Sequence, residues 1–225
     1  MGRSVAESWE LIDEWLLRSV PHIRAMLAPP ATPAELREVE RVCGVELPAD
    51  LADWWRGANG MGPGTMSYAL IVPPGLYLQS THQAITHLHE TREIAIDAAK
   101  ARRFHYETVD EQADAQAYDA AVARMMRAPA GTVDPDLEQV LVHLPAWIMV
   151  ARESRCYFVD CREGPLHGCV MQQGAHGGES GPLWPSVAAM WAETSDVLTG
   201  LDPASVPERV RTTVGDWWFP GDWWI

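Results

Sequence analysis

Residues 45–60 constrain the fold of this chain more than any other stretch. Leu47, Leu51, Trp54 and Trp55 recur at near-helical spacing, which predicts a short helix with at least one indole buried against another part of the chain. Pro48 stands where the first helical residue is expected, a position at which its missing N–H costs nothing. Gly57 and Gly60 are expected to supply a left-handed stop. None of these side chains is a nucleophile, and nothing in the segment cradles phosphate. Its chemistry is packing and recognition.

A chain of 225 residues supports one generous domain with appendages. Its acidity narrows the classes of partner. Thirty-one Asp and Glu against seventeen Lys and Arg give a formal net charge of −14, a field that repels nucleic acid and anionic membranes and steers a basic partner inward. The excess is uneven: residues 1–60 carry 10 acidic and 6 basic side chains, residues 128–225 carry 13 and 5. No stretch approaches the ~18 apolar residues of a membrane span, and the first ten residues lack the apolar core of a signal peptide. Four Cys are too few for a disulfide scaffold, so reduced thiols and a cytoplasmic location are expected.

Periodicity orders the rest. Trp9, Ile12, Leu16 and Val20 predict a first amphipathic helix that Pro21 ends. Thr32, Pro33 and Glu35 read as a capped helix start, followed by the stripe Leu36, Val39, Cys43 and a stop at Gly44. After a turn at 60–64, residues 68–72 read as a strand. Helices are expected from Thr81 to about Arg103 and over 111–127, so that 80–135 forms an inserted helical pair. Residues 147–151, 156–160 and 168–171 are short, β-rich and separated by turns, the texture of an antiparallel meander. Residues 174–181 read as a loop. Trp184, Pro185 and Ser186 then open a helix with the stripe Val187, Met190, Trp191, Thr194 and Leu198. Trp9, Trp54, Trp147, Trp184 and Trp191 are expected in the core. The tail 200–225 repeats Gly-Asp-Trp-Trp, and its Trp217, Trp218, Trp223 and Trp224 are expected to fold back over the domain, since four exposed indoles would invite aggregation. The fold class expected is α+β: N-terminal helices on an antiparallel meander sheet, a closing C-terminal helix, and a helical insertion between the first strand and the meander.

This order of elements resembles the SUKH superfamily of Smi/Knr-type proteins. The resemblance rests on Leu47, Pro48, Leu51, Trp54, Trp55, Asn59 and Gly60; on residues 147–151 with Phe158, Val159, Asp160 and Gly164 to Val170; and on Trp184, Pro185, Ser186, Val187 and Trp191. It covers residues 5–72 and 140–200, about 130 of the 225 positions, and leaves the insertion and the Trp-rich tail outside. It implies a single domain over 1–225 that binds protein without catalysis or cofactor. Bacterial members of the family are immunity proteins bound to a cognate toxin, and fungal members are regulatory scaffolds. A nuclease toxin presents cationic surface to its substrate, and an acidic protein can occupy that surface with fast, salt-sensitive association. Glu46, Asp50 and Asp53, flanking the Trp helix, are the candidate partner-binding residues; the competing reading is solvated helix charge.

Catalytic chemistry finds less support. Cys156, Cys161, His167 and Cys169 lie within fourteen residues, but their x4, x5 and x1 spacings are not paired C-x2-C knuckles. Cys156 and Cys161 fall at opposite ends of one strand, while His167 and Cys169 are expected on one strand face. A thiol- or zinc-dependent hydrolase using this cluster is the enzyme alternative. His82, His89 and Glu93 could share a helix face, where solvated side chains are the simpler reading. No G-x-S-x-G elbow is present, and Lys100 is the sole Lys, so neither a hydrolase triad nor a phosphate loop can be built. No metal ligands are assigned.

Overall fold

The computed structural model describes residues 2–62, 77–103, 111–132, 144–152, 156–173 and 179–200. Two helices begin by the same device. The Ser4 hydroxyl accepts from the Glu7 amide at 3.3 Å while the Glu7 carboxylate accepts from the Ser4 amide at 2.8 Å, which starts α1 (Val5–Ser19). Thr32 and Glu35 repeat the exchange at 3.2 and 2.7 Å to start α3 (Pro33–Cys43). Each box satisfies two amides that a helix end would otherwise leave unpaired. Gly44 ends α3 at φ +67°, the left-handed stop expected of it. A single turn, α2 (Pro21–Arg24), follows α1.

The Trp segment forms α4 (Ala49–Gly57) and differs from expectation at both ends. Pro48 caps the helix with an extended ψ of 138° instead of occupying its first turn. Gly57 lies inside the helix, and the chain leaves through Ala58 in an extended conformation. Gly57 is small for a packing reason: a Cβ there would stand 3.3 Å from the Trp9 ring. Of the two glycines expected to stop α4, Gly60 takes a left-handed φ of +67°, and a Cβ on it would lie 2.5 Å from the backbone of Gln79 and Ser80. Gly60→Ala should therefore cost about 2 kcal/mol or more, readable as a lower urea midpoint, because strain and backbone overlap act together. An unchanged midpoint would show that this close approach does not hold in solution.

Among the described residues five strands follow the chain in order: β1 (Tyr77–Leu78), β2 (Trp147–Arg152), β3 (Cys156–Asp160), β4 (Val170–Gln173) and β5 (Glu179–Trp184), every neighbouring pair antiparallel. The fold is α+β. Between β1 and β2 lie α5 (Thr81–Arg103) and α6 (Glu111–Met126), the inserted helical pair, bridged by Arg92 and Asp119 at 3.2 Å. The stretch read as a loop at 174–181 becomes strand from Glu179, with Pro182 inside it. Proline can lie there because, among the described residues, β5 is an edge strand, where one row of amides needs no ladder partner. The strand expected at 68–72 and the Trp-rich tail fall outside the described residues. Among the described residues, no helix is long and apolar enough to cross a membrane.

The sheet is apolar on both faces, and each face is covered. Ile148, Val150, Val159 and Val170 pack with α1, α3, α4 and with α7 (Val187–Gly200) in the main core. Trp147, Phe158, Cys169 and Met171 face the other way and pack on Met125 and its neighbours in α6. The insertion thus closes the second face of the sheet, which explains why β2 and β3 are nearly continuous hydrophobic runs. Trp54, Trp55, Trp147, Trp184 and Trp191 are buried and Trp9 is partly buried. Trp15 is buried too, although the spacing of Ile12 and Leu16 did not single it out. The stripe of α7, Val187, Met190, Trp191, Thr194 and Leu198, faces inward as expected.

Candidate functional site

Two turns that are remote in sequence meet beside the sheet and enclose a cleft of about 520 Å³. The first wall is the 44–49 turn. Its path is held by Gly44 and by the Glu40 carboxylate, which accepts from the Leu47 amide at 3.2 Å. The second wall is the 161–168 loop between β3 and β4. Gly168, at φ +82°, brings that loop against Pro48, whose Cβ would be 3.3 Å from an added methyl.

The second wall is anchored by a buried ion pair. Arg162 is 3% exposed and Asp160 not at all. Arg162 Nε and Nη2 donate to the two Asp160 carboxylate oxygens at 3.0 and 2.7 Å. Nη1 and Nη2 also donate to the Met125 and Thr132 carbonyls at 3.0 and 2.8 Å, and the guanidinium lies 5.5 Å over the Trp147 ring. Asp160 in turn accepts from the amides of Gly131 and Arg162 at 2.7 and 3.1 Å. Removal of two charges from water is tolerable only when both are this fully bonded. Because Met125, Gly131 and Thr132 belong to the end of the insertion, the pair fastens the insertion to the sheet. The sequence marked Asp160 only as part of the family-like Phe158-Val159-Asp160 segment and Arg162 not at all, and it gave no sign that the two form a buried pair.

The three residues expected to bind a partner do not form one patch. Glu46 is exposed on the rim of the cleft. Asp50 is half-buried and turned inward: its carboxylate accepts from the Leu51 amide at 2.9 Å and from the Ala188 amide at 3.0 Å. It thereby places negative charge at the N-terminus of α7, beside the Ser186 hydroxyl that caps the Ala189 amide. Asp53 is exposed and paired with Arg56 at 2.6 Å. The rim gains a second acid that the sequence reading missed, Glu163, together with His167. His167 Nδ1 lies 3.1 Å from the Arg162 carbonyl, so this nitrogen carries the proton.

The cysteine cluster does not converge. Cys156 begins β3, whereas Cys161 follows its far end. His167 is exposed in the turn before β4 and Cys169 is fully buried, so the two do not share a strand face. Burial pushes the Cys161 thiol well up and the Cys169 thiol to about 11, which leaves both protonated and weakly nucleophilic near neutral pH. Among the described residues, no three His, Cys, Asp or Glu side chains come together to hold a metal. His82, His89 and Glu93 lie on the exposed side of α5. No protein-family model matches this chain, and no curated protein matches its sequence.

Proposed function

We propose that this chain is a non-enzymatic protein-binding module of the immunity type, a SUKH-like domain that holds and neutralises a basic toxin. The net charge of −14 carries this reading, because it gives the surface one strong preference, for cationic protein. The structure supplies a supporting argument by elimination. Trp54 and Trp55 are fully buried, so the family-like Trp helix serves the fold, and recognition falls to the charged exterior.

The direct test is co-expression with growth-inhibiting products of adjacent reading frames. Rescue of growth together with a purified stoichiometric complex is the expected result. If the chain neither rescues nor binds any of them, the toxin reading is wrong.

The kinetics of such a complex are predictable. Raising salt from about 50 to 500 mM shortens the Debye length from roughly 14 to roughly 4 Å. Association should slow at least about tenfold while dissociation changes little, since long-range fields steer encounter and short contacts set lifetime. Stopped-flow association rates that ignore salt would remove electrostatic steering. Asp50 is unsuited to a charge-neutralising series, because its change also uncaps α7.

A further inference from the structure

We propose that the cleft between the 44–49 turn and the 161–168 loop receives one arginine or lysine side chain of the basic protein partner, with Glu46 and Glu163 as its counter-charges. This rests on the protein-binding reading above and adds the place and the chemistry of contact.

Uncompensated negative charge and a concave surface coincide at this cleft. Asp13, Glu38, Asp53, Asp119 and Asp196 each have an arginine on the same surface to pair with. Glu46 and Glu163 are exposed and, like Glu10, Glu14, Glu90 and Glu93, enter no ion pair among the described residues; of these six acids, Glu46 and Glu163 are the two that line the cleft. The arginine in the cleft wall offers them nothing, because Arg162 is committed to Asp160, Met125 and Thr132. The rim therefore carries net negative charge that the chain does not compensate itself.

Shape and lining point to the same occupant. The volume of about 520 Å³ exceeds what one long side chain fills, so entry needs no opening of the fold. Val45, Pro48 and Met126 provide apolar contact at the walls, which suits the methylene stem of Lys or Arg while its head meets carboxylate. Arginine fits better, since its planar fork can bond carboxylates with two parallel N–H groups. Both walls are fixed in advance, one by the Glu40–Leu47 bond and the other by the buried ion pair. Little ordering remains to oppose binding. Phosphate and other anions are excluded by the same charges.

The test uses the full chain and a defined probe, acetyl-Gly-Arg-Arg-Gly-amide, with its citrulline counterpart as the uncharged isostere. In amide shift titrations the arginine peptide should move residues 44–49 and 161–168 together along one saturable curve. The citrulline peptide should bind about tenfold or more weaker, and so should a Glu46→Gln/Glu163→Gln variant given the arginine peptide. A Glu38→Gln/Asp119→Asn variant, which loses the same formal charge elsewhere, should bind like the parent. Shifts scattered over the acidic surface, or equal weakening in both variants, would overturn the assignment. The two readings separate cleanly. A toxin held equally by the parent and the Glu46/Glu163 variant refutes the cleft and leaves the function standing. A cleft that takes the arginine peptide in a protein that binds no toxin does the reverse.

Discussion

Arg162→Met should lower the unfolding free energy by about 3–5 kcal/mol, the usual cost of leaving one member of a buried ion pair without its partner. Asp160 would keep its charge inside the protein with only the Gly131 and Arg162 amides to bond it, and the Met125 and Thr132 carbonyls would lose a donor. The loss should concentrate where the pair acts. Hydrogen exchange should quicken at residues 125–132 before it quickens in α1 or α4, because the insertion is held to the sheet at that end. Adding Asp160→Asn to Arg162→Met should cost less than the two single changes summed, since the second removes the stranded charge that the first creates. A urea midpoint for Arg162→Met within about 0.5 kcal/mol of the parent would mean that the pair is solvated and does not fasten the insertion.

What could be read from the sequence was local and periodic. The Thr32 box, the stripe of α3 and the extent of α5 depend on residues within a few positions of one another, so spacing suffices to place them. The meander was legible for the same reason: β2 and β3 are short apolar runs, and β4 opens on the apolar pair Val170 and Met171. The features that escaped are made by contacts between distant segments. Gly57 is fixed by the Trp9 ring and not by its own φ. Asp50 reads as helix charge until Ala188, 138 positions further on, brings its amide to the carboxylate. Asp160 belongs to a family-like segment, but its pairing with Arg162, two positions on, cannot be read from spacing. Their meaning comes from the carbonyls of residues 125 and 132 and from the Trp147 face.

The candidate site shows the same division. Glu46 could be named because it flanks a recognisable helix, whereas Glu163 could not, since only the tertiary fold sets the β3–β4 loop opposite the α3–α4 turn. Grouping Glu46 with Asp50 and Asp53 followed helix proximity, yet the three point to solvent, to α7 and to Arg56 respectively. Net charge bears only on the sign of the proposed partner. The proposed place of contact rests on the cleft beside Glu46 and Glu163, which needs the structure.

The Trp pair of α4 carries the other large expected effect. Trp54→Ala and Trp55→Ala should each cost about 3–5 kcal/mol, the range for emptying a buried aromatic site. The sequence required at least one of the two to be buried; the structure buries both completely. They support different neighbours. Trp54 lies 5.0 Å from Trp191 in an edge-on arrangement, and Trp191 meets Trp9 at 5.2 Å, so Trp54 joins α4 to α7 and α1. Trp55 donates its indole N–H to the Gln79 carbonyl at 3.1 Å and thereby ties α4 to the segment that leads into α5. Asn59 completes that tie by bonding Thr81 through both ends of its amide, at 3.0 and 2.8 Å. Losses of this size approach the whole stability of an ordinary domain, and the alanine variants could fail to fold. The phenylalanine variants keep the question answerable. Trp55→Phe should cost about 1 kcal/mol more than Trp54→Phe, because only the former gives up a hydrogen bond; among the described residues the Trp54 indole nitrogen has no partner to lose. Equal urea midpoints for the two phenylalanine variants would show that the Gln79 bond contributes nothing. Alanine variants as stable as the parent would mean that α4 does not dock between α1, α7 and the sheet.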